Sequence, residues 1–70
     1  MTIQKIRQMI AKGNDLNVKE LTVEWEQRPR TLKNERSGYT WRQARVRVQS
    51  PGFRPTTMTA TMDEDGMTVR

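Results

Sequence analysis

Ile3, Ile6 and Ile10 fall at i, i+3 and i+7 near the start of the chain, with Gln4, Lys5, Arg7, Gln8 and Lys12 around them. That spacing marks one face of a 3.6-residue period and predicts a helix over 2–12, with Met9 widening the apolar stripe. Thr2 can cap its first turn. Gly13-Asn14 supplies a stop, because glycine tolerates the left-handed backbone that often follows a helix. Lys12 suits the negative end of the helix dipole. A helix this short is not stable alone and needs a surface to pack on.

Further along, the period changes to two. Leu21, Val23 and Trp25 alternate with Thr22, Glu24 and Glu26, which predicts a first strand over 18–27 with one buried and one wet face. Pro29 has no N–H to donate and is expected to end that ladder. Residues 28–38, RPRTLKNERSG, then read as a basic loop. Its length exceeds the usual hairpin connection of about 2–5 residues, and long loops are common carriers of function.

A second strand is predicted over 39–50. Ala44, Val46 and Val48 share one face, and Gln43, Arg45 and Arg47 share the other. Tyr39 and Trp41 have the parity of the arginines. Either both aromatics lie on the outer face, or a bulge near Arg42 turns them inward. Ser50-Pro51-Gly52 ends this strand. A third strand is predicted over 56–62, with Met58, Ala60 and Met62 inward and Thr57, Thr59 and Thr61 outward. Asp63-Glu64-Asp65-Gly66 reads as a turn, and 67–70 as a short fourth strand closing a hairpin. The expected fold is α+β: one domain, with an N-terminal helix packed on a three- to four-stranded antiparallel sheet.

Composition narrows how such a fold is held together. Ile, Leu, Val and Phe number twelve of 70 residues, a thin supply for a core. A chain of this size buries only about 60 % of the surface its unfolded form exposes. There is no Cys and no His, so disulfides are excluded and a structural zinc site has no ligands. No metal or other cofactor is expected. Tight packing, a homo-oligomer or a bound partner must supply what is missing. Trp25 and Trp41 are the bulkiest apolar groups available. Trp25 is expected in the core, and parity leaves Trp41 undecided.

The same inventory argues against catalysis. The commonest general base and the strongest natural nucleophile are both missing. Ser37 and Ser50 lie in turns rather than at a strand-to-helix elbow. Glu24 and Glu26 share a wet strand face, where both should ionise normally. The acidic run at 63–65 resembles a calcium loop only faintly, since Gly66 follows Asp65 directly, and a β-turn is the better reading. The expectation is a binding module and not an enzyme.

Charge distribution points to the partner class. The chain carries 13 basic and 8 acidic residues, net +5. Arg28, Arg30, Lys33, Arg36, Arg42, Arg45, Arg47 and Arg54 fall between 28 and 54, where Glu35 is the single acid. The rest of the chain carries five basic and seven acidic residues, net −2. Such a basic middle suits phosphate contact, which gives affinity through counterion release. Trp41, if outward, could stack on unpaired bases beside the arginines. The candidate nucleic-acid-binding residues are therefore Arg28, Arg30, Lys33, Arg36, Trp41, Arg42, Arg45, Arg47 and Arg54. The bland reading is ion pairing of Glu24 and Glu26 with Arg45 and Arg47 across the first two strands.

An inhibitor or adaptor docking on an acidic protein surface fits the same residues, since Arg and Trp are favoured at protein interfaces. A continuous arginine stripe free of acids favours nucleic acid. Interleaving with Glu24 and Glu26 favours a protein. The two-aromatic ribonucleoprotein strands, the GXXG loop and zinc fingers are all absent. No stretch approaches the roughly 20 apolar residues of a membrane span, and the first twelve residues lack the apolar run of a leader. With no Cys, a reducing, cytoplasmic setting without membrane contact is expected.

Overall fold

A computed structural model describes residues 1–70. Helix α1 spans Ile3–Gly13, a single 3₁₀ turn spans Val18–Glu20, and four strands follow: β1 Thr22–Lys33, β2 Thr40–Gln49, β3 Thr56–Asp63 and β4 Gly66–Val69. The strands form one antiparallel sheet in the order β1-β2-β3-β4. The architecture is α+β, a helix packed on a four-stranded meander. No helix is long and apolar enough to cross a membrane.

Local chemistry sets the helix ends. Thr2 Oγ1 accepts from the Lys5 N–H at 3.2 Å. At the other end, Gly13 stays helical and Asn14 is the cap. The Asn14 N–H donates to the Ile10 carbonyl at 3.1 Å, and its Nδ2 donates to the same oxygen at 2.9 Å. The left-handed residue is Asp15 at φ 53°, not Gly13. Aspartate is among the few non-glycine residues that tolerate this region.

The core is one cluster. Ile6, Ile10 and Ala11 of α1 meet Leu21, which ends the 3₁₀ turn, and Val23, Val46, Val48 and Ala60 of the sheet, and Ile6 and Val46 are fully buried. Each such side chain contributes about 1.5–3 kcal/mol relative to exposure. Trp25 packs half-buried against the rim of this cluster, as its bulk predicts.

The segment expected as a basic loop, 28–38, is largely strand. β1 runs through Pro29 to Lys33, and the turn is confined to residues 34–39. The reason is a pair of register shifts. Trp25 opposes Val46, Gln27 opposes Arg45 and Arg30 opposes Gln43, so β1 spends two more residues than β2 over this stretch. Glu26 and Gln27 together oppose Arg45, and Arg28 and Pro29 together oppose Ala44. Pro29 thus sits in a bulge of an edge strand, where no ladder N–H is required. Beyond the second bulge Leu32 faces outward and Thr31 and Lys33 inward. At the other end, Val18–Glu20 is a 3₁₀ turn rather than strand.

Both bulges lie on β1; β2 itself inserts no extra residue, and its register with β3 is unbroken from Arg42 to Val48. There is no bulge near Arg42, so Tyr39 and Trp41 lie on the outer face, opposite to α1.

The molecule measures 44 × 21 × 15 Å. Eleven helical residues extend about 16 Å, whereas the ten residues of β2 extend about 33 Å. The helix therefore backs only part of the sheet. Along the inward positions of β2, Val48, Val46 and Ala44 are buried and Arg42 is exposed. Beyond Ala44 the sheet is bare on both faces.

Candidate nucleic-acid interface

The bare end consists of the second half of β1, the start of β2 and the turn joining them. Its tip is a four-residue loop organised by Asn34. The Asn34 N–H donates to the Tyr39 carbonyl at 2.8 Å, and the Gly38 N–H donates back to the Asn34 carbonyl at 2.8 Å. Asn34 Oδ1 accepts from the Arg36 and Ser37 N–H groups at 2.9 and 3.2 Å. Ser37 Oγ accepts from the Tyr39 N–H at 3.2 Å. Gly38 takes φ +74°, which a side chain would strain. The tip is a bonded turn, and it holds Arg36 at the extreme end of the hairpin.

Register places the other cations. Arg30 is opposite Gln43 on the outer face. Arg42 is opposite Thr31, and Lys33 opposite Thr40, on the inner face. Arg28 projects from the second bulge. All five of Arg28, Arg30, Lys33, Arg36 and Arg42 are exposed, and none has a carboxylate within 4.0 Å. The one ion pair joins Arg45 Nε to Glu26 Oε2 at 3.9 Å, with both side chains about half exposed. A pair this long and wet contributes about 0–1 kcal/mol.

The nine candidate residues do not form one surface. Arg28, Arg30, Lys33, Arg36, Trp41 and Arg42 gather at the hairpin end, with Arg45 at its base beside Glu26. Arg47 sits on the helix-backed half opposite Glu24, without a contact short enough to be an ion pair. Arg54 does not join the others. It lies in the β2–β3 connection at the opposite end of β2, about 30 Å away at 3.3 Å per residue. It lines an open groove of about 600 Å³ with Ile10, Leu16, Leu21 and Phe53. Phe53 there is 69 % exposed.

The outer face of the hairpin end is aromatic as well as basic. The Tyr39 and Trp41 rings stack at 6.0 Å between centroids and 23° between planes. Trp41 Nε1 donates to Gln43 Oε1 at 3.3 Å, and Leu32 stands directly opposite Trp41. Tyr39 was visible by its shared parity with Trp41. Leu32 was hidden because its segment reads as loop, and nothing in the sequence reveals the bulges that keep it in the ladder.

The sheet is polarised from edge to edge at this end. Local desolvation of this exposed side chain holds the Tyr39 hydroxyl above its ordinary pKa, reinforced by the carboxylates of Asp63, Glu64 and Asp65 in the β3–β4 turn and opposed by a hydrogen bond with the Glu64 backbone. That turn is acidic, whereas the hairpin end from Arg28 to Arg42 is basic with Glu35 as its single acid. No three carboxylates are grouped so as to hold a metal ion.

The sequence matches no protein-family model, and neither a curated protein nor a solved structure is significantly similar to the chain.

Proposed function

We propose that this protein is a non-enzymatic nucleic-acid-binding module that contacts phosphates through the β1–β2 hairpin. The observation that supports this reading is the hairpin end itself. Arg28, Arg30, Lys33, Arg36 and Arg42 stand on two faces and the tip of a two-stranded ribbon, exposed and without ion pairs. Such a ribbon is narrow enough to approach a groove, and free guanidinium groups release counterions on meeting phosphate. On the strands, the interleaving of acids and arginines that would favour plain solvation involves Glu24, Glu26, Arg45 and Arg47, on the helix-backed half of the sheet.

The test is fluorescence anisotropy of labelled oligonucleotides, titrated from low to physiological salt. Micromolar or tighter binding is expected, with log K falling steeply in log salt. Arg30→Ala and Arg42→Ala should each reduce that slope by about 1. Absence of binding at low salt would sink the reading.

The groove at the opposite end favours a second reading, an adaptor docking on an acidic protein surface. Phe53 and Leu16 offer apolar anchors there, and Arg54 and Arg70 supply charge. In that case Phe53→Ser, and not Arg30→Ala, should abolish capture of the partner.

A further inference from the structure

The outer face of the sheet has features that the phosphate reading does not use. It is covered by no helix. In register across its four strands lie Arg30, Gln43, Thr61 and Thr68, and one row nearer the base Gln27, Arg45, Thr59 and Arg70. The next row towards the tip holds Leu32 and Trp41, with Tyr39 stacked on Trp41. A ring pair on the uncovered sheet face, Tyr39 exposed and Trp41 half-buried, is unusual in a chain so short of core residues. Trp41 would add bulk to the core if it faced inward, as Trp25 does.

Phosphate contact alone needs no rings. A duplex hides its base faces in the stack, so exposed aromatics gain nothing from it. An unpaired strand presents a π-face on every base, and aromatic side chains beside arginines are the chemistry that recognises it. Arg30 and Arg45 lie one and two rows below Trp41, at a rise of about 6.8 Å per row. Arg30, which has no carboxylate partner, is placed to hold a backbone phosphate while a base lies against the rings, whereas Arg45 is shared with Glu26. Asp63, Glu64 and Asp65 repel phosphate from the β3–β4 side and confine the strand to the β1–β2 side.

We infer that the nucleic acid is single-stranded and that it lies along the outer face of β1 and β2, with a base stacked on the Tyr39–Trp41 pair. This inference rests on the phosphate reading above and names its substrate class.

The test compares a fluorescein-labelled thymidine oligonucleotide with a duplex of equal length, at one low salt concentration. The single strand is expected to bind at least tenfold more tightly. Trp41→Leu should weaken the single strand roughly tenfold, the loss typical of one stacked base, and leave the duplex unchanged. Trp41→Phe keeps a ring and should retain most of the affinity, which guards against a folding defect in the leucine variant. In a Trp25→Phe background, Trp41 is the remaining tryptophan, and its emission should be quenched by the oligonucleotide.

Equal affinity for single strand and duplex, or Trp41 emission unmoved on binding, overturns the stacking inference and leaves the phosphate reading standing. Binding of neither nucleic acid overturns both.

Discussion

Along the inward face of β2, residue type changes abruptly. Val48 and Val46 are buried in the cluster that α1 covers, Ala44 is buried beside it, and Arg42, the next inward residue, is exposed. The strand and its ladder with β3 are continuous across that boundary. What differs is the cover. Where the helix lies on the sheet, an inward position must be apolar, since an unpartnered charge there would lose its solvation. Where the helix stops, the same position is free to hold a guanidinium. Half of this small sheet is thus occupied with staying folded, and the other half is available for binding. A chain with few core-forming residues gains from this division, because its scarce Ile, Leu and Val are concentrated under one short helix.

The sharpest way to break the comparison is to place the same residue on both sides of the boundary. Val46→Asp puts a carboxylate where relative exposure is 0 %. The cost should rival the whole stability of the domain, roughly 4–10 kcal/mol at 0.05–0.15 kcal/mol per residue. Circular dichroism should show no cooperative melt, and an unchanged Tm would refute the division. Asn34→Ala comes next in size. It removes the acceptor that organises the hairpin tip and should cost about 1 kcal/mol. Hydrogen exchange should show lost protection confined to residues 34–39, with the helix-backed half unaffected.

Arg42→Asp is the counterpart of Val46→Asp on the same strand and face. At an exposed, unpaired site it should move stability by no more than about 0.5 kcal/mol in a urea melt, while affinity for an oligonucleotide falls. A large destabilisation would mean that the bare half also supports the fold.

The smallest effect concerns Tyr39. Its pKa lies above the ordinary value of 10.0, from local desolvation first and the Asp63–Asp65 carboxylates second. A raised folded-state pKa means that the associated stability is present below about pH 10 and lost as pH rises through the folded value. Tyrosinate absorbance should titrate late. Combining Asp63→Asn, Glu64→Gln and Asp65→Asn should lower the midpoint without restoring it fully, because the desolvation remains. A midpoint unmoved by the triple variant would separate Tyr39 from the acidic turn.

The period-3.6 and period-2 patterns were legible directly: Ile3, Ile6 and Ile10 gave the helix, and Val23, Val46, Val48 and Ala60 gave the buried sheet face. Those signals are strong because each buried position must be apolar wherever a helix covers it. Pro29 was legible as an obstacle, yet the expected consequence, a loop over 28–38, does not occur. A proline ends a regular ladder but fits a bulge, and bulges leave no periodic mark in a sequence. The basic cluster was likewise legible in composition, but its membership was not. Arg54 lies 12 residues after Arg42 in the chain and at the opposite end of β2 in space, because an antiparallel strand carries its two ends apart.

The sequence by itself therefore determined the element order, the core and the presence of a basic middle. These follow from local periodicity and charge, which need no knowledge of distant residues. The tertiary structure alone decided three things: that β1 continues through its proline, that Tyr39 and Trp41 face away from the helix, and which arginines share a surface. Each depends on strand register, and register is fixed by contacts between segments far apart in the chain.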